Sequence, residues 1–183
     1  AFTYAGTPYA IGADAAPVVI SYNKTLFEQN GVKTPREYFE KGNWTWDTFR
    51  EVALEMTGDT DGDGNNDVFG FGWWDSFYVQ MLNANGTTHL KYAEDGSIGS
   101  NYMSKEATEA FTFLQGGYVT DKFIKYPDGD SFISDYKSGK LAMTCEYGFA
   151  AITAYECDYE IAWAPLPVGP SGEQYDCGGS LTG

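Results

Sequence analysis

Short β-branched runs alternate with capped amphipathic segments from one end of the sequence to the other. Val18-Val19-Ile20-Ser21-Tyr22 reads as a buried strand. Asn23 follows as an N-cap, Lys24 to Asn30 reads as a short helix, and Gly31 ends it. Thr34-Pro35 reads as the start of a loop. Thr45 caps a longer helix over Trp46 to Met56, with Asp47 in the first turn, where the helix dipole favours an acid. Phe49, Val52, Ala53 and Met56 then share one apolar face. Val68 to Trp74 has strand composition, and Asp75 or Ser76 caps a helix carrying Phe77, Met81 and Leu82 that Asn85 and Gly86 close. Glu94 to Ser97 reads as a hairpin turn between Leu90–Tyr92 and Ile98. Ser104 caps a helix bearing Ala107, Ala110, Phe111 and Leu114, which Gly116 and Gly117 end. A short helix over Phe132–Lys137, a strand over Leu141–Cys145, a helix over Gly148–Tyr155 and a strand over Tyr159–Trp163 complete the series. Alternation of this kind implies an α/β fold.

The chain has 183 residues, the size of one domain with one sizeable core. Acidic residues number 26 against 11 basic, a formal charge of −15. A body this acidic repels phosphate backbones and anionic lipid, which argues against nucleic-acid or membrane-surface binding. No apolar run approaches the ~18 residues of a membrane span, so no direct insertion of this segment is expected. No basic stretch leading into an apolar one opens the chain, and Ala1 to Tyr9 reads like protein interior, as expected of a mature fragment or excised domain. Cys145, Cys157 and Cys177 have no paired short spacing, which excludes a zinc knuckle or a thioredoxin-like motif. Both one disulfide plus a thiol and three thiols remain open.

The densest polar motif is Asp59-Thr60-Asp61-Gly62-Asp63-Gly64-Asn65-Asn66-Asp67. Carboxylates at alternate positions of one tight loop repel unless a cation sits among them, and the oxygen-seeking ion for that is Ca²⁺. Asp59, Asp61 and Asp63 are its first candidate ligands, Asn65 offers a carbonyl, and Asp67 binds directly or through water. An EF-hand loop ends on a bidentate Glu, and that place is Gly70 here. The competing reading is a solvated turn of Asx-type hydrogen bonds.

Aromatic rings are the second concentration. Phe69, Phe71, Trp73, Trp74, Phe77 and Tyr78 fall within one short stretch, and Tyr147, Phe149 and Tyr155 form another. In a strand, Phe69, Phe71 and Trp73 share one face, which is core. Rings in excess of a core, beside hydrogen-bonding groups, suit the apolar faces and hydroxyls of sugars. Catalytic motifs are lacking: His89 is the one histidine, and there is neither a Gly-x-Ser-x-Gly elbow nor a phosphate loop. A pair of carboxylates for glycoside chemistry would start from Glu146.

Several segments, in order, resemble the bacterial extracellular solute-binding proteins of ABC importers, in the sugar-binding group of the maltose-binding type. Pro8-Tyr9-Ala10-Ile11 and then Val19-Ile20-Ser21-Tyr22-Asn23-Lys24-Thr25-Leu26-Phe27 resemble that family's hinge-crossing strand and the start of its second lobe. Gly31 to Pro35, Thr45-Trp46-Asp47-Thr48-Phe49, Ser138-Gly139-Lys140-Leu141-Ala142-Met143 and Ala164-Pro165-Leu166-Pro167 are similar to its later signatures. The resemblance implies one lobe of a type II periplasmic-binding-protein-like fold, a mixed sheet flanked by helices. Residues 1–183 would form that single lobe, with 1–17 and 164–183 near the hinge.

The implied function is the substrate-binding lobe of an importer's receptor, not an enzyme, taking an oligosaccharide and meeting a membrane permease in the intact protein. The implied place is extracellular or periplasmic, as a cell-surface lipoprotein in full-length form. Solute contacts would follow the strand ends: Trp73, Trp74, Glu146, Tyr147 and Phe149, with Tyr22 lining the hinge. The alternatives are a glycoside-active enzyme fragment using paired carboxylates and a calcium-dependent interaction module.

Overall fold

The computed structural model describes residues 2–4, 7–10, 14–73, 77–126, 131–147, 156–175 and 179–182. A two-stranded antiparallel ribbon, β1 (Phe2–Tyr4) with β2 (Thr7–Ala10), leads into the long strand β3 (Asp14–Asn23). Asn23 turns the chain into α1 (Lys24–Asn30) by accepting the Leu26 N–H at 2.9 Å, and Gly31 closes the helix in the left-handed region at φ 67°. The segment after Thr34 is a helix and not the expected loop: α2 (Pro35–Glu40) opens on a capping box in which Thr34 and Glu37 satisfy each other's backbone N–H groups. A second capping box, Thr45 with Thr48, starts α3 (Trp46–Glu55).

The strand β4 is shorter than its composition implied, Phe69–Gly72. There follow α4 (Phe77–Ala84), the separate hairpin β5 (Leu90–Tyr92) and β6 (Ile98–Ser100), and α5 (Lys105–Gln115). The glycines after α5 do not stop the helical path. The chain passes through a π-helical turn, Gly116–Thr120, before β7 (Ile124–Lys125). Last come α6 (Ser131–Lys137), β8 (Leu141–Tyr147), β9 (Ile161–Ala164) and β10 (Gly179–Thr182). The expected helix over 148–155 and the expected cap at Asp75 or Ser76 lie outside the described residues.

The main sheet runs β10-β3-β8-β4-β7, with β9 also on β3. β4 is parallel to both β7 and β8, and β3 runs antiparallel to β8, β9 and β10. The carboxyl ends of β4, β7 and β8 therefore open on one end of the sheet. Alternation along β3 sends Val18, Ile20 and Tyr22 into the main core, together with Met143 and Cys145 of β8. Phe49 of α3 is the hub of that core, fully buried and in ring contact with Trp44, Phe71, Phe113 and Phe123. Phe69 and Phe71 do not share a neighbourhood: Phe71 joins this core, and Phe69 packs on a smaller cluster of Phe132, Tyr136 and Leu141.

α3 lies directly on β4 at Gly70. A Cβ there would fall 2.0 Å from the Ala53 carbonyl oxygen, so only glycine permits the approach. Arg50 of α3 grips Asp121 with two bonds, Nε to Oδ2 at 2.6 Å and Nη2 to Oδ1 at 2.8 Å, which ties the helix to the end of the π-helical turn. The guanidinium holds the Asp121 carboxyl below its usual range.

Candidate functional site

The parallel strands deliver aromatic side chains to the carboxyl end of the sheet. Trp73 follows β4, Tyr126 follows β7, and Tyr147 ends β8 opposite Val18 of β3. The π-helical turn adds Tyr118 between them. The rings form a ladder: Phe77 to Trp73 at 4.8 Å between centroids, Trp73 to Tyr118 at 6.5 Å, and Tyr118 to Tyr126 at 5.9 Å and 65°. Exposure rises along it, from 5% at Trp73 to 77% at Tyr126.

The Trp73 indole N–H is buried without an acceptor at hydrogen-bond distance, and the Tyr118 hydroxyl is its polar neighbour. Burial pushes the Tyr118 phenol well above the usual tyrosine range, so it stays a neutral donor. Beside Tyr126, Lys125 is neutralised by a direct bond to Asp135, both side chains being largely buried. Among the described residues the result is an aromatic wall with phenol groups on its rim and no unpaired charge beside it, able to stack on an apolar ring face and to hydrogen-bond the ring's edge.

Of the residues expected here from sequence, the structure brings Trp73 and Tyr147 to this end of the sheet. Trp74 and Phe149 lie outside the described residues, and Glu146 is described only as a backbone partner of Val19. Tyr22 is elsewhere. It pairs with Met143, four strand positions down from the Tyr147 end, is 2% exposed, and packs edge-on against Phe27 of α1. The alternation that buries Ile20 buries Tyr22 too, so it lines no open surface. Tyr118 and Tyr126 were not anticipated. Gly116-Gly117 looked like a terminator, and a two-residue strand shows no periodicity to place the ring that follows it.

The Asp/Gly loop leaves at the other end of the sheet, between α3 and β4. It is closed at its base by the Gly58–Val68 bridge. Asp59, Asp61 and Asp67 converge, with one carboxylate oxygen from each within 4.8 Å of the others. Asp59 accepts from the Gly62 and Gly64 N–H groups at 2.6 and 2.8 Å, and Asp67 accepts from the Thr60 N–H and hydroxyl, both at 2.7 Å. These donors hold both carboxyls below the usual range. Asp63 and Asn65 do not join the trio: Asp63 accepts from the backbone and side-chain amides of Asn65. Gly70, where an EF-hand has its bidentate Glu, is fixed as glycine by the contact with Ala53. Cys157 is a free thiol beside the Tyr159 hydroxyl, and Cys177 lies outside the described residues.

A mixed α/β sheet flanked by helices, with rings gathered at the ends of its parallel strands, defines one lobe of the periplasmic-binding-protein-like fold. Residues 1–182 match the family described as bacterial extracellular solute-binding protein, and the chain belongs to that family. No curated protein matches the chain in sequence. Among solved structures, the chain is similar to the UspC protein of M. tuberculosis, with a TM-score of 0.73 and 22% identity over 95% of this chain and 47% of that one. It is similar to an ABC substrate-binding protein of Listeria monocytogenes in complex with cycloalternan, with a TM-score of 0.71 and 21% identity over 92% of this chain and 42% of that one. It is also similar to the maltose/maltodextrin-binding domain MalE of Bdellovibrio bacteriovorus bound to maltotriose, with a TM-score of 0.70 and 23% identity over 98% of this chain and 46% of that one. The chain spans less than half the length of each of these proteins.

Proposed function

We propose that this chain is the substrate-binding lobe of an ABC importer's extracellular receptor and that its solute is an oligosaccharide. The observation that carries the reading is the aromatic ladder from Trp73 through Tyr118 to Tyr126, set at the carboxyl ends of parallel strands, where open α/β sheets bind their ligands. Two of the similar proteins are bound to cycloalternan and to maltotriose, which supports the solute class. The lobe reading, with 1–17 and 164–183 near a hinge, is supported by the pairing of β3 with β10. Pro17 lies opposite Gly179 and Asp14 opposite Thr182, so the two segments run side by side.

In this reading the lobe binds and does no chemistry. A second lobe closes over the solute, and the closed form is what a membrane permease recognises. The protein works outside the cytoplasmic membrane, held there by a lipid anchor in its full-length form. Among the described residues no helix is long and apolar enough to cross a membrane.

One lobe supplies half of the contacts. Its affinity for maltotriose is millimolar or weaker, about −4 kcal/mol or less in magnitude. Calorimetry on this chain and on the two-lobed protein tests the reading. The two-lobed protein binds at least about a hundredfold tighter, a gain of about 2.7 kcal/mol; equal affinities contradict the two-lobe account.

We also propose Ca²⁺ as a structural ion in the loop 59–67. The convergence of Asp59, Asp61 and Asp67 supports it, each with oxygen lone pairs beyond those given to backbone donors. The ion would hold the loop closed at the base of β4, and excess chelator then lowers the melting temperature of the calcium-loaded protein.

A further inference from the structure

Between α5 and β7 the backbone leaves α-helical geometry at a cost. Residues 116–120 wind as a π turn, closed by the Asp121 N–H on the Gly116 carbonyl at 2.9 Å. The turn exits through Lys122 at φ 55°, the one non-glycine in the left-handed region among the described residues. A side chain there is disfavoured and persists only where its surroundings hold it. Strain of this kind gathers where a fold needs a side chain in a particular place. The side chain that this turn carries to the ladder is Tyr118.

Three contacts hold the turn. Gly117 lies so close to Ile124 and Phe123 that a Cβ would fall 2.5 Å from Ile124 Cδ1 and 2.9 Å from Phe123 Cζ. Asn66 Nδ2 donates to the Lys122 carbonyl at 3.4 Å. The third and strongest contact is Arg50, whose Nε and Nη2 take both oxygens of Asp121, the residue that closes the π turn. Arg50 stands on α3, the helix that is also seated on β4 at Gly70. β4 leads directly into Trp73. One helix therefore fixes both ring carriers, Trp73 through its seat on β4 and Tyr118 through the clamp. The spacing of the two rings, 6.5 Å between centroids at 44°, is set from α3.

We propose that Arg50 and Asp121 are positioning residues for the solute: their clamp keeps the π turn wound, so that Tyr118 fills the gap between Trp73 and Tyr126. The inference rests on the reading of the ladder as the solute contact. Without the clamp the strained exit at Lys122 loses its strongest support, the turn relaxes, and the Tyr118 ring leaves the gap. Trp73 and Tyr126 remain at their strand ends, but the surface between them is broken. α3 and β4 keep each other in place through the Phe49–Phe71 contact and the seat at Gly70, neither of which involves Asp121. The loss therefore falls on the turn and not on the sheet.

Two measurements test this, and the first needs no solute. In this chain Asp121→Asn shifts the Trp73 indole N–H signal by NMR, because the Tyr118 ring moves, while the Trp163 signal on β9 stays still. Arg50→Lys, which keeps the charge but not the two-pronged fork, shifts it as well. Tyr118→Ala also moves the Trp73 signal, and adding Asp121→Asn to it has no further effect. The second measurement is calorimetry of maltotriose binding to the two-lobed protein, well below the melting temperature so that lost stability does not register. Tyr118→Ala weakens binding about tenfold and Asp121→Asn about threefold to tenfold. The double variant is no weaker than Tyr118→Ala. Arg36→Gln, which breaks a surface pair with Glu40, leaves both readouts unchanged. A Trp73 signal that ignores Asp121→Asn, or losses from Asp121→Asn and Tyr118→Ala that simply add, overturns the positioning role. If Tyr118→Ala binds maltotriose like wild type while Asp121→Asn still moves the Trp73 signal, the clamp sets the ring and it is the solute reading that falls.

Discussion

Replacing Asn85 by alanine removes the link that joins α4, α5 and the 165–172 loop. The side chain is fully buried and makes three hydrogen bonds: Nδ2 donates to the Glu106 carbonyl at 2.8 Å and to Glu109 Oε2 at 2.9 Å, and Oδ1 accepts from the Ser171 N–H at 2.8 Å. At about 1 kcal/mol each, with one bond to a charged acceptor, the loss is about 3 kcal/mol. For a chain of this length that lowers the melting temperature by about 6–12 °C. Urea unfolding of wild type and Asn85→Ala at neutral pH measures it. Asn85→Asp separates the hydrogen-bond argument from a simple packing effect. The introduced carboxyl keeps the acceptor for Ser171 but loses the donors and faces Glu109, so burial and like charge raise its folded pKa above the unfolded value near ~3.9. A raised acid pKa makes the penalty full at neutral pH, and it fades as the pH falls through the folded pKa. Asn85→Asp therefore recovers stability relative to wild type on acidification as the introduced carboxyl is protonated, whereas Asn85→Ala recovers only the part that wild type itself loses when Glu109, held below its usual range by Asn85, is protonated. A loss below about 1 kcal/mol for Asn85→Ala, or parallel pH profiles for the two variants, refutes the reasoning.

Asp121→Asn breaks the two-bonded clamp to Arg50 and costs about 1 kcal/mol at neutral pH. Because the folded pKa of Asp121 is lowered, the clamp's contribution is present above the unfolded carboxyl pKa and is lost as the pH falls through the folded one. The wild-type and Asp121→Asn unfolding curves consequently converge in acid. Along the aromatic ladder, Tyr126→Ala costs under about 0.5 kcal/mol of stability because the ring is 77% exposed, whereas Trp73→Ala costs about 3–5 kcal/mol; both weaken maltotriose binding in the two-lobed protein, as calorimetry would show. Asp61→Ala abolishes the chelator-dependent drop in melting temperature, and a drop that survives this change counts against calcium in the loop.

The fold was legible wherever a local signal matched the packing. The strand over Val18–Tyr22, the caps at Asn23, Thr45 and Ser104, and the hairpin at Glu94–Ser97 stand where the sequence puts them. α2 carries a local signal too: Thr34-Pro35-Arg36-Glu37 is a capping box with proline at the first helical position. The π-helical turn was not legible, because paired glycines ordinarily mark a stop. Its geometry depends on Gly117 meeting Ile124 and Phe123, residues further along the chain. The candidate site was half legible for the same reason. Trp73 and Tyr147 could be placed from strands with clear patterns, while Tyr118 and Tyr126 reach the site only through that turn and a two-residue strand. Tyr22, which the family resemblance puts at the hinge, goes to the core, because the period of two along β3 carries it in with Ile20.

The central claim is that the aromatic ladder touches the solute. The direct measurement is a two-dimensional NMR titration of the indole signals with maltotriose and a panel of other oligosaccharides, on this chain and on the two-lobed protein. The account predicts that Trp73 moves with one sugar class, while the fully buried Trp44 and the exposed Trp163, on β9, stay still. If Trp73 is unmoved in a two-lobed protein that binds the sugar, the ladder is not the contact and the account is wrong.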